Sequence, residues 1–199
     1  MIIGITGFSG SGKTTFSQAL LSMSNDIILI SQDNYYKTLS QNIDLLSYDF
    51  DKIEALDMNM ILDHINEIKI GKKIIHVPIY DFKTHSRKDF KKVNNKKIIL
   101  FEGHLMFTDK RIMDKIDMLI FIDTDLDISL GRRILRDMKE RGRDIDEVLR
   151  RYELFVKKVH TQLENLKSKS TIIIPNNVNF EQGLEIIKLY LRGYLDDRM

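Results

Sequence analysis

Gly7-Phe8-Ser9-Gly10-Ser11-Gly12-Lys13-Thr14 fits the pattern G-x-x-x-x-G-K-[ST]. It follows the apolar run Ile2–Thr6 and precedes an amphipathic segment starting at Lys13. A strand, a glycine-rich loop and a helix in that order form a cradle for phosphate. The glycines let the backbone wrap closely around anionic oxygens, and successive N–H groups with the helix N-terminus face the charge. Gly7, Ser9, Gly10, Ser11, Gly12, Lys13, Thr14 and Thr15 are the expected ATP-binding residues. Lys13 reaches the β- and γ-phosphates, and the Thr14 hydroxyl is placed to ligate Mg²⁺.

Outward from the loop, short apolar runs alternate with longer amphipathic ones. The expected strands are Ile2–Thr6, Ile27–Ile30, Ile98–Phe101, Met118–Ile122 and Thr171–Ile174, rich in Ile, Leu and Phe without polar alternation, as strands buried on both faces are. The expected helices are Lys13–Met23, Ile53–Ile68, Leu126–Glu140, Ile145–Leu166 and Glu181–Tyr194. This predicts an α/β, three-layer P-loop NTPase-type fold with a mainly parallel five-stranded sheet. Residues 72–95 break the rhythm and read as an inserted β-hairpin, and residues 132–147 as a helical arginine lid, within one domain over 1–199.

The 199 residues are 43% hydrophobic and 30% charged, with two prolines, which excludes a disordered or collagenous chain. The net charge of +2 argues against non-specific nucleic-acid binding. No cysteine is present, so disulfides, thiolate metal sites and thiol nucleophiles are excluded. No apolar run reaches bilayer length and no signal-type segment opens the chain, so no membrane partner and a cytoplasmic location are expected. The GTPase motifs Asn-Lys-x-Asp and Asp-x-x-Gly are missing, since Asn95-Lys96-Lys97 lacks the Asp and the third strand ends Phe101-Glu102-Gly103. A small-molecule kinase using ATP is the leading class.

Ligands of parallel sheets bind beyond the carboxyl ends of strands. Ser31-Gln32-Asp33-Asn34-Tyr35-Tyr36 therefore lies at the rim of the phosphate loop, and Asp33 is the candidate general base for an acceptor hydroxyl. Tyr35 and Tyr36 are both placed to flank a planar or ribose-bearing acceptor. Glu102, closing the third strand, is placed to hold Mg²⁺ opposite Thr14. Arg132-Arg133-x-x-Arg136-Asp137-x-x-x-Arg141-Gly142-Arg143 puts guanidinium groups on neighbouring turns and around a helix-ending glycine. Such groups match the charge of a transferring phosphoryl group, and a segment carrying them can close over ATP.

These residues resemble the uridine kinase (uridine–cytidine kinase) family of P-loop kinases over about Ile3 to Pro175. The resemblance rests on Gly7–Thr15, Ser31-Gln32-Asp33-x-x-Tyr36, Tyr48-Asp49-Phe50, Pro78-Ile79-Tyr80-Asp81-Phe82-x-x-His85-Ser86-Arg87, Phe101-Glu102-Gly103, and Asp123 to Asp144. It implies transfer of phosphate from ATP, with Mg²⁺, to the 5′-hydroxyl of uridine and often cytidine. It implies Asp33 as base, Asp49 and Arg133 on the ribose hydroxyls, Tyr80, Phe82 and His85 around the pyrimidine, and Arg136, Arg141 and Arg143 on phosphates. A homodimer or tetramer is a further expectation from the resemblance. Three departures stand out. Asp49 is followed by Phe50-Asp51 where the family usually has His-Pro. Arg151 precedes Tyr152 where it often has glutamine, a change that could alter acceptor choice or recruit phosphate. His104, where it has an aliphatic residue, could either titrate near the phosphates or fill space. Two other functions compete: a nicotinamide riboside kinase, which shares the phosphate loop and Ser-Gln-Asp, and a non-catalytic nucleotide-binding module.

Overall fold

The computed structural model of the protein describes residues 1–40, 42–45 and 47–196. Five strands form one parallel sheet: β1 (Ile2–Gly7), β2 (Ile27–Ser31), β5 (Ile98–Glu102), β6 (Met118–Asp123) and β7 (Ile172–Pro175). Their order is β2-β5-β1-β6-β7. All pairings are parallel, with Gly4 opposite Phe101 on one side and Leu119 on the other.

Period-two alternation divides each strand between two cores. Ile2, Ile99, Phe101, Leu119 and Phe121 face one cluster. Ile3, Ile5, Ile98, Leu100, Ile120 and Ile122 face the other. The second core is closed by α1 (Lys13–Leu21) and α7 (Glu181–Asp196) through Phe16, Leu20, Leu184, Ile187 and Leu191. The first is closed by α2 (Met58–Lys69) and α6 (His160–Lys169), together with residues of the hairpin β3 (Ile74–Asp81) and β4 (Ser86–Asn94). A short α3 (Lys110–Met113) adds Ile112 to this side. Both faces of the sheet are covered, so the three-layer α/β expectation holds. Among the described residues, no helix is long and apolar enough to cross a membrane.

Two expected helices are broken. The span 53–68 is a 3₁₀ turn, Ile53–Ala55, and then α2, because Asp57 stops the first and caps the second by accepting from Met60 N–H at 3.1 Å. The span 145–166 splits into α5 (Ile145–Leu154), a 3₁₀ turn (Val156–Val159) and α6. At the break, Phe155 leaves helical geometry (φ −126°, ψ −59°), while Val156 and Val159 are buried beside it. The helix α4 (Leu126–Arg141) runs as expected and ends on Gly142, at φ 65°.

Candidate functional site

Each sheet strand runs one residue past its apolar core: Gly7, Ser31, Glu102, Asp123 and Pro175 occupy those ends. The functional groups therefore leave the sheet on one rim. At Gly10 (φ 89°) an added Cβ would collide with the Ser129 carbonyl, and at Gly12 (φ 93°) with the Asn176 amide. The loop is thus packed to its limit against the start of α4 and the chain after β7. Thr124 Oγ1 and Asn176 Nδ2 donate to the Ser11 carbonyl, holding it from behind.

Lys13 is buried and its Nζ donates to the Phe8 carbonyl at 3.3 Å, curling over the loop. Burial lowers the pKa of its ammonium, opposed chiefly by Glu102. The Thr14 hydroxyl donates to Glu102 Oε1 at 2.9 Å. Burial raises the Glu102 carboxyl, opposed by Lys13. Asp33 sits in a 3₁₀ turn, Gln32–Tyr35, whose cap is Ser31 Oγ, which accepts from the Asp33 N–H. Lys13, Thr14, Asp33 and Glu102 line a single cavity of about 730 Å³ counted out to its open mouth.

The arginines form the opposite wall. Arg133, Arg136, Arg141, Arg143 and Arg151 all line the cavity. Four of them share one carboxylate. Asp137, wholly buried, accepts from Arg136 at 2.8 Å and from Arg143 at 3.2 Å, with Arg133 at 3.7 Å and Arg141 at 3.6 Å. Burial alone would raise the Asp137 carboxyl, yet the guanidinium groups hold it below its ordinary value. Asp137 was not expected as a site residue, although its spacing of four from both Arg133 and Arg141 was a readable signal. Arg133 also donates to Ser9 Oγ at 2.8 Å, tying the wall to the phosphate loop. Arg132, expected on the same face, turns away and donates to the carbonyls of Asn176 and Asn177.

An aromatic recess adjoins this chamber. Tyr36, Phe82 and His85 line the cavity itself. Tyr80 lies behind them, in the neighbouring recess that also takes in Phe50, Phe82 and His85. The rings of Tyr36, Tyr80 and Phe82 meet at centroid distances of 5.2–6.1 Å. Phe50 lies over His85 at 5.1 Å, and Arg151 over Phe50 at 5.4 Å. The Tyr80 hydroxyl and His85 Nδ1 are buried with no hydrogen-bond partner among the described residues, and His85 holds a left-handed backbone (φ 49°). Burial raises the Tyr80 phenol to about 12. Arg87 fastens the hairpin to the Asp33 turn by donating to the carbonyls of Tyr35 and Tyr36 and to Asp57.

One expectation is corrected. Asp49 does not line the cavity; it borders a separate groove with Lys52, Glu54 and Lys158. Its Oδ1 accepts from the Asp51 N–H at 2.8 Å, and that tight turn sends Asp51 inward instead. Asp51 lines the cavity and is 8% exposed. Burial would raise its carboxyl, but His104, Arg133 and Arg151 outweigh it and bring it to about 2. Arg151 reaches the chamber with its guanidinium anchored on the carbonyls of Leu45 and Tyr48, at 3.0 and 3.2 Å.

A uridine kinase of Borrelia turicatae is 37% identical over 194 residues, covering 96% of this chain and 94% of that protein. A chloroplastic uridine/cytidine kinase of Arabidopsis thaliana is 39% identical over 201 residues, covering 98% of this chain and 41% of that protein. The chain thus spans about two fifths of the length of its longer eukaryotic relatives. A solved structure described as a candidate fructose transport system kinase, from Silicibacter sp. TM1040, superposes with a TM-score of 0.72 over 88% of this chain and 89% of its own, at 15% identity; that likeness speaks to fold alone. Residues 2–181 match the phosphoribulokinase/uridine kinase family, and the chain belongs to it.

Proposed function

We propose that the protein transfers the γ-phosphoryl group of ATP to the 5′-hydroxyl of a pyrimidine ribonucleoside, uridine first and cytidine second. The observation that carries the reading is the junction of two chambers. A lysine–threonine–arginine chamber suits a triphosphate, and an aromatic recess with unpartnered polar atoms suits a flat base. Asp33 lines the first chamber with Lys13 and Tyr36 and takes the proton of the attacking hydroxyl. Lys13 neutralises the transferring phosphates, and Arg136, Arg141 and Arg143 bind the charge that spreads over the phosphoryl oxygens. Asp51 and Arg133 hold the ribose hydroxyls, which fixes the 5′-oxygen in line. Phe82 and His85 hold the base, and Tyr80 reaches its edge from behind. The Thr14 hydroxyl and Glu102 carboxylate, joined at 2.9 Å, are an all-oxygen donor pair that fits Mg²⁺, which when bound would neutralise phosphate charge.

The test is steady-state kinetics with ATP, Mg²⁺ and a panel of uridine, cytidine and nicotinamide riboside. Uridine is expected to give the highest kcat/KM. A higher value for nicotinamide riboside removes the pyrimidine assignment, and ATP binding without acceptor-dependent ADP release removes catalysis.

A further inference from the structure

Gln32 is wholly buried and one end of its amide is committed. Oε1 accepts from the backbone N–H groups of Leu105 and Met106, each at 2.8 Å. Those two donors settle which end is oxygen, so the NH₂ group faces His104 Nδ1, at 3.4 Å. A donor there makes Nδ1 the acceptor, and the neutral ring then carries its hydrogen on Nε2. His104 is 9% exposed and lines the acceptor side of the cavity beside Asp51. Its Nε2 lies 3.4 Å from Asp51 Oδ1, near enough to favour that carboxylate's charge but too poorly aligned for a full hydrogen bond, and it meets no other described group. A buried N–H left bare is costly, and such groups in native proteins mark a missing partner. A hydroxyl fits both neighbours at once: its oxygen accepts from Nε2–H and its hydrogen goes to the Asp51 carboxylate.

We propose that His104 is a specificity-determining residue whose Nε2–H donates to a ribose hydroxyl of the acceptor, the same hydroxyl that donates to Asp51. The proposal rests on the reading of the cavity as a nucleoside site. It gives this chain a recognition contact that an aliphatic side chain at position 104 cannot make. Gln32, which never touches the acceptor, sets the tautomer.

Kinetics of the wild type, His104→Leu and His104→Gln on uridine, 2′-deoxyuridine and 3′-deoxyuridine test it. His104→Leu is expected to lower kcat/KM for uridine about tenfold, mainly through KM, with KM for ATP unchanged. The loss is expected to vanish on the one deoxynucleoside that lacks the contacted hydroxyl, and His104→Gln, which keeps an N–H donor, should recover part of it. Equal losses on all three nucleosides, or none on uridine, overturn the assignment. Should the variants fail to fold, nitrogen-15 spectra of the wild-type imidazole decide. An Nε2–H tautomer whose Nε2 signal moves on adding uridine supports the contact; an Nδ1–H tautomer, or an Nε2 blind to uridine, overturns it. Failure of the nucleoside reading shows itself separately, as wild-type enzyme with no uridine turnover, and that result overturns both.

Discussion

Asp51 keeps its charge against burial because His104 and two guanidinium groups surround it. Its carboxyl, about 2 in the fold, lies below the unfolded value of about 3.9, so its contribution is present above that value and is lost as pH falls toward 2. The contribution is about 2–3 kcal/mol. Wild-type stability, followed by denaturant unfolding across pH 4 to 2, should therefore fall more steeply than that of Asp51→Asn. Asp51→Asn should also lower kcat/KM for uridine by about 10- to 100-fold, the scale of a lost hydrogen bond to a charged group, while Asp49→Asn changes it by no more than about threefold. Comparable losses at both positions would contradict the inward placement of Asp51. Asp33→Ala bears on the base: turnover should drop by about 10² or more with ATP affinity kept. Isothermal titration beside the assay separates the two quantities, and unchanged turnover would remove Asp33 from that role.

At the scale of elements, α4 and the turn at Gly142 are held together by Asp137, and Glu147 of α5 pairs Arg143. Replacing Asp137 with Asn leaves several guanidinium groups without their shared anion. A cost of about 3 kcal/mol is expected, which lowers Tm by roughly 5–10 °C. A melting curve that does not move would mean solvent already supports those arginines. The helix α5 also reaches across to the acceptor side, since Arg151 grips the carbonyls of Leu45 and Tyr48. Glutamine at 151 is shorter, uncharged and has a single NH₂ group in place of the two guanidinium nitrogens that hold these carbonyls. Arg151→Gln should raise KM for the nucleoside about tenfold and leave KM for ATP within twofold. Equal rises for both substrates would place Arg151 in general folding.

Over the whole molecule, a ligand that binds only the folded state stabilises it by about 2.7 kcal/mol at one hundred times its Kd. ATP with Mg²⁺ at that excess should raise Tm by roughly 5–10 °C, and Lys13→Ala should abolish the rise. The sheet was legible in the sequence because both-face burial leaves unbroken runs of Ile, Leu and Phe, and the phosphate loop because its glycines admit no side chain. Helix breaks at Asp57 and Phe155 were hidden, since both segments keep a helical polar–apolar rhythm through them. Asp51 was missed for a different reason: which of two aspartates enters the cavity depends on one side-chain-to-backbone bond, invisible to spacing. The choice of tautomer at His104 likewise depends on Gln32, 72 residues away in the chain.

The Asp137 cluster sets four cations against one central anion, with Glu147 as an outer companion to Arg143. That corner of the protein carries more positive than negative side chains. On the proposed function, a polyphosphate would bring counter-charges to these arginines, so docking the donor would complete a balance as well as a shape. Simple inorganic tripolyphosphate, carrying the charge but no base or sugar, should then compete with ATP, and rising salt should blunt the competition.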